Sequence, residues 1–112
     1  MITLTSHILD TSKGKPATGV IVILYVGGND AWQEHSRTKT NSDGRLEGSF
    51  TATKALQPGI HKLRFETKDY FDREAIATFY PYVEIIFDIT KEEHYHVPLL
   101  MNPFGYSTYR GT

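Results

Sequence analysis

The chain has 112 residues, 39% hydrophobic and 12% aromatic, with 12 Lys and Arg against 13 Asp and Glu for a formal charge of -1. Its length suits one domain spanning 1–112, with a folded surface of roughly 6,200 Å² against about 18,000 Å² extended, so one core needs no staples. The near-zero charge excludes a general nucleic-acid or anionic-membrane binder, and the absence of cysteine excludes disulfides, thiolate metal sites and cysteine nucleophiles. In chain order, Ile2, Leu4 and Ile8 alternate with Thr3, Thr5 and His7, which predicts a first strand with one polar face. Lys13-Gly14-Lys15-Pro16 turns, and Gly19 opens the run Val20–Val26, predicted as a central strand buried on both faces. Gly27-Gly28-Asn29-Asp30 closes it. Trp32–Thr40 reads as a polar strand, followed by the turn Asn41-Ser42-Asp43-Gly44, a short strand over Leu46–Phe50 and a loop ending at Pro58-Gly59.

His61, Leu63 and Phe65 alternate with charged residues in a half-buried strand. Asp69 then reads as the N-cap of one short helix, Tyr70–Phe79, with Phe71, Ala75 and Phe79 at helical spacing and Pro81 after its end. Val83, Ile85, Phe87 and Ile89 mark the next strand, His94–Met101 another, and Tyr106–Thr112 the last. Pro98 cannot donate to a ladder, so it belongs at an edge or a bulge. Seven or eight short strands at this spacing predict an all-β, two-sheet antiparallel sandwich. The N-terminus has no basic and apolar leader pattern, and the longest apolar run is far short of the ~18 residues of a membrane span. A cytoplasmic location is the expectation.

His94-Tyr95-His96 sets two imidazoles on one strand face. This pair fits a metal site, a non-metal catalytic histidine or a solvated strand face, and spacing fixes no third ligand. His7 shares the polar face of Thr3 and Thr5, where an exposed histidine needs no function, and Arg45 opens a strand where arginines are commonly just solvated. His35 and His61 carry no predicted role. No serine sits in a nucleophile elbow, and no glycine run matches a phosphate loop or a dinucleotide fingerprint. The final segment, Tyr106–Thr112, is aromatic and strand-forming to its end, which suggests either burial against another subunit or an ordinary edge strand.

Five segments together resemble the 5-hydroxyisourate hydrolases, the transthyretin-related proteins of purine catabolism. They are Ser6-His7-Ile8-Leu9-Asp10-Thr11, Gly14-Lys15-Pro16-Ala17, Thr40-Asn41-Ser42-Asp43-Gly44-Arg45, His94-Tyr95-His96-Val97-Pro98-Leu99-Leu100 and Tyr106-Ser107-Thr108-Tyr109-Arg110-Gly111-Thr112. The resemblance covers essentially the whole chain. It implies a transthyretin-like sandwich of two four-stranded sheets with one short helix. It also implies a homotetramer whose sites lie in a channel at the dimer–dimer interface. The implied reaction opens 5-hydroxyisourate to 2-oxo-4-hydroxy-4-carboxy-5-ureidoimidazoline in urate degradation, with no metal and no organic cofactor. By motif position His7, Arg45 and His96 match the family's active-site residues, and Tyr109-Arg110-Gly111-Thr112 matches its tail. His94 matches the less critical histidine of the pair.

The resemblance gives His7 and His96 as the acid–base pair, with the Thr112 hydroxyl holding the water. It has Arg45 binding and polarising the substrate, Tyr109 contacting its rings, and Arg110 and Gly111 positioning the tail. The family tail usually ends in serine, and Thr112 adds a methyl that restricts the rotamer. The alternative is a transthyretin-type carrier that binds a small ligand without chemistry, which predicts loss of this polar set.

Overall fold

Where the chain meets proline or must change sheets, its predicted strands divide. The computed structural model describes residues 1–28, 31–52 and 54–112. Among them run β1 (Thr3–Thr5), β2 (Ile8–Asp10), β3 (Lys15–Pro16), β4 (Ile21–Gly27), β5 (Gln33–Lys39) and β6 (Gly59–Phe65). The helix α1 (Thr67–Arg73) follows, then β7 (Val83–Ile89), β8 (His94–His96), β9 (Leu99–Asn102) and β10 (Gly105–Thr108). Asn29 and Asp30 of the predicted turn after β4, and Thr53 of the loop before Pro58, lie outside the described residues.

Two four-stranded sheets, ordered β5-β4-β6-β7 and β10-β9-β2-β3, form the expected all-β frame with its one short helix. Between them lie Val22, Leu24, Leu63, Phe65, Val83 and Ile89 from one sheet and Ile8, Leu99 and Met101 from the other, all buried. The middle of β4 is buried, as expected of a central strand, but Ile21 at its start is 39% exposed, so its burial on both faces is confined to Val22, Ile23 and Leu24. The total surface of 6354 Å² matches the scaling expectation, so the chain by itself already closes a core of normal extent.

The sandwich is not wholly antiparallel. β1 pairs with β8, and β2 with β9, in parallel. The predicted single strands Ile2–Ile8 and His94–Met101 each break in two, at Ser6-His7 and at Val97-Pro98. Pro98 has no N–H, so the ladder is interrupted there. The two segments nevertheless keep one register across the break, Thr3 opposite His94 and Ile8 opposite Leu99. Val97 donates its N–H to the Thr5 carbonyl (3.0 Å), and Leu99 donates to that of His7 (3.0 Å). The buried Ser6 hydroxyl donates to the Val97 carbonyl (2.7 Å) and fastens the crossing.

Three other expectations are corrected. The helix runs over Thr67–Arg73 rather than Tyr70–Phe79, and Asp69 lies in its first turn while Glu66 is the N-cap without a side-chain bond. Ala75, at φ 56°, stops it in a left-handed conformation, which leaves Phe79 71% exposed. Leu46–Phe50 is no strand: Leu46 makes a single bridge to Thr40 before the chain turns away. The last strand ends at Thr108, and the tail beyond it bends back so that Gly111 bridges to His96.

Candidate active site

The parallel pairing of β1 with β8 lays the Thr3/Thr5 face directly beside the His94/His96 face. Thr3 Oγ1 lies 2.6 Å from His94 Nδ1, Thr5 Oγ1 lies 3.1 Å from His94 Nε2, and the same Thr5 oxygen lies 2.7 Å from His96 Nδ1. The two imidazoles stack with planes 15° apart and centroids 6.5 Å apart. Both nitrogens of His94 and Nδ1 of His96 are therefore engaged by threonine hydroxyls. An open cleft of 530 Å³ is lined here by Thr5, Arg45, Leu46, His94, His96 and Thr112 among others.

Arg45 reaches the site through its turn. Asn41 Oδ1 accepts the N–H groups of Asp43 (2.9 Å) and Arg45 (3.1 Å), folding the chain tightly on itself. Gly44 sits at φ +75°, and a Cβ there would fall 2.5 Å from the Ile8 carbonyl oxygen. Only glycine lets this turn press against β2, where Ile8 N–H donates to the Gly44 carbonyl (2.8 Å) and His7 bridges to Arg45. His7 donates its Nε2–H to the Asp43 carbonyl (2.8 Å), so a neutral His7 carries its lone pair on Nδ1. Among the described residues no carboxylate forms an ion pair with Arg45, which leaves the guanidinium fork for a ligand.

Burial, and then the positive fields of Arg45, His94 and His7, hold the His96 pKa below its ordinary value. An imidazole so placed is neutral at pH 7 and suited to accept a proton. The tail crosses this group closely. Gly111 N–H donates to the His96 carbonyl (2.8 Å), and a Cβ on Gly111 would stand 2.5 Å from His96 Cδ2.

The predicted residues are not all gathered by one chain. Arg45, His96 and Thr112 line the cleft, with His7 and Gly111 bonded to its walls. Tyr109 is 60% exposed and lines a separate hollow with Tyr95 and Arg110, outside the cleft. Arg110 points away too: it donates to Glu93 (2.9 Å) and lies over the Tyr95 ring, 4.7 Å from its centroid. Thr5 was missed by sequence reasoning. Its signal was the polar face shared with His7, but nothing in sequence showed that this face meets the histidine pair. Among the described residues no three metal-ligating side chains converge beside His94 and His96.

Residues 4–111 match the model of the HIUase/Transthyretin family. The chain is 44% identical to the 5-hydroxyisourate hydrolase of Mus musculus, covering 97% of this chain and 94% of the mouse protein. The structure of Klebsiella pneumoniae 5-hydroxyisourate hydrolase superposes with a TM-score of 0.88 at 38% identity, covering 100% of both chains. A sea bream transthyretin solved in complex with thyroxine has a TM-score of 0.89 at 27% identity, covering 98% of this chain and 95% of its own.

Proposed function

The chain belongs to the HIUase/Transthyretin family, and from that premise we propose that it is a 5-hydroxyisourate hydrolase of urate degradation. The observation that carries this reading is the convergence of Arg45, a neutral-tending His96 and Thr112 on one cleft, with His7 bonded behind Arg45. A thyroxine-type carrier site needs apolar walls, whereas these walls carry a guanidinium, two imidazoles and hydroxyls. The carrier reading is therefore not favoured.

Opening the substrate ring breaks an acyl carbon–nitrogen bond. A histidine takes a proton from water as the water oxygen bonds to the carbonyl carbon. The ring nitrogen then leaves with a proton returned by an acid. In our assignment His96 and His7 divide these two proton transfers, and Arg45 binds adjacent substrate oxygens and steadies the negative charge that develops on the attacked carbonyl. The Thr112 hydroxyl holds the water. Gly111 lets the tail lie flat on His96, and Arg110 anchors it through Glu93.

Tyr109 faces away from its own cleft, which suits a role across a subunit boundary. We propose that the chain forms a homotetramer in which such tail residues meet a neighbour's site. The long edge strand β7 exposes Ile86 (61%), and edge strand β10 exposes Tyr106 (44%). Apolar, unpaired edges of this kind are usually covered by pairing.

The test generates 5-hydroxyisourate in the cuvette with urate oxidase and follows its absorbance decay with and without this protein. Faster decay is expected. Decay at the spontaneous rate would remove the hydrolase reading.

A further inference from the structure

We propose that Thr5 is a positioning residue that couples the tautomers of His94 and His96 and thereby presents a bare Nε2 on His96. The hydroxyl of Thr5 has one proton and lies between two imidazole nitrogens, 2.7 Å from His96 Nδ1 and 3.1 Å from His94 Nε2. The second nitrogen of His94 is in turn 2.6 Å from Thr3 Oγ1. Two arrangements of opposite polarity satisfy all three contacts, and in the resting one assigned here His96 Nδ1–H donates to Thr5, Thr5 O–H donates to His94 Nε2, and His94 Nδ1–H donates to Thr3. Both rings then hold the same tautomer. The parallel register that sets Thr3 opposite His94 and Thr5 opposite His96 holds the donors and acceptors in line.

The mirror arrangement of reversed polarity is reached by passing a net one proton along the chain. His96 Nε2 takes a proton from the attacking water, forming an N–H bond. Its Nδ1 proton passes to Thr5, the Thr5 proton to His94 Nε2, the His94 Nδ1 proton to Thr3, and the Thr3 proton to solvent. One proton enters, one leaves, and His96 finishes neutral, so that His7 is left to return a proton to the leaving nitrogen. His94 is then a second positioning residue, acting through Thr5. This catalytic consequence rests on the hydrolase reading, while the tautomer coupling does not.

The test has two arms. In the first, ¹⁵N–¹H correlation spectra of the imidazoles in the unmodified protein, without substrate, should show both His94 and His96 as Nδ1–H tautomers. Opposite tautomers on the two rings, or Nε2–H on His96, would overturn the proposal without any variant being made. In the second, Thr5→Val should lower kcat about 10- to 100-fold with KM nearly unchanged and should release the His96 tautomer into a mixture. Thr5→Ser should restore both readouts. Wild-type kcat together with an unchanged His96 tautomer in Thr5→Val would also overturn it. If the unmodified protein does not hasten hydroxyisourate decay, the hydrolase reading fails, and the spectra still decide the coupling.

Discussion

At the scale of single residues the site is a set of charges and lone pairs, each held by backbone. His96 is readied by environment: burial first, then Arg45, His94 and His7, hold its pKa under the ordinary value near 6.5. The rate should therefore stay level as pH falls to the mid-sixes and decline only as it passes through that lowered value. His7→Asn or His96→Asn should lower turnover by roughly 10²–10⁴-fold, the span for losing general acid–base help, as read from hydroxyisourate decay. In the proposed role Thr112 supplies an oxygen rather than bulk. Thr112→Val keeps the shape and should lose activity, while Thr112→Ser keeps the hydroxyl, frees its rotamer and should match or exceed the parent. Equal rates for Thr112→Val and the parent would exclude a hydroxyl role in holding water. His7, Arg45 and His96 could be picked out by sequence because they sit inside short motifs. Thr5 could not, since its meaning lies entirely in a partner strand some ninety residues away.

At the scale of elements, the site exists because two chain segments cross between sheets side by side. The alternation of Ile2, Leu4 and Ile8 against Thr3, Thr5 and His7 correctly separates the buried from the polar face, and period two carries straight through the break. Sequence does not reveal the break itself, because alternation is blind to which sheet a strand pairs with. Pro98 was the local sign of it, and it lies between β8 and β9. The helical period misleads for a different reason. Phe71, Ala75 and Phe79 fit a helical period, yet Ala75 adopts φ 56° and the true helix buries Thr67, Tyr70 and Phe71 instead. The tail offers the sharpest test at this scale. Gly111 does not need a positive φ, so alanine is conformationally allowed there, but its Cβ would meet the His96 ring at 2.5 Å. Gly111→Ala should push the imidazole aside and reduce turnover about 10- to 100-fold, with a melting temperature close to the parent's. An active Gly111→Ala protein would show that the tail is not packed on His96 during catalysis.

At the scale of the whole molecule, two properties remain that no single element determines. The proposed homotetramer, whose contacts would cover the exposed apolar side chains of β7 and β10, predicts light scattering near four times 12.7 kDa at micromolar concentration, and an active monomer would sink the proposed shared channel. The second property is the dependence of stability on pH. His61, at 2% exposure, donates Nδ1–H to the Gly59 carbonyl (2.8 Å) and stacks on Phe87, while its Nε2 has no partner among the described residues. Burial lowers its pKa, the Gly59 bond opposing this only in part, and burial likewise leads the lowering at His96. Both histidines are therefore harder to protonate folded than unfolded. Above the unfolded value of about 6.5 neither state binds these protons, and stability from this source is at its full level. As pH falls from there through the lowered folded values, the unfolded chain gains protons first and stability is lost. The melting temperature should thus hold between about pH 8 and 6.5 and drop below it, before the carboxylates begin to titrate. His61→Phe isolates the buried contribution. It gives up one hydrogen bond, at a cost of about 1 kcal/mol at neutral pH, but keeps a ring against Phe87 and cannot take up a proton. Its melting curve should begin lower at pH 7.5 and fall less steeply between pH 6.5 and 5. An unchanged slope would show that His61 is not the group whose protonation opens the core.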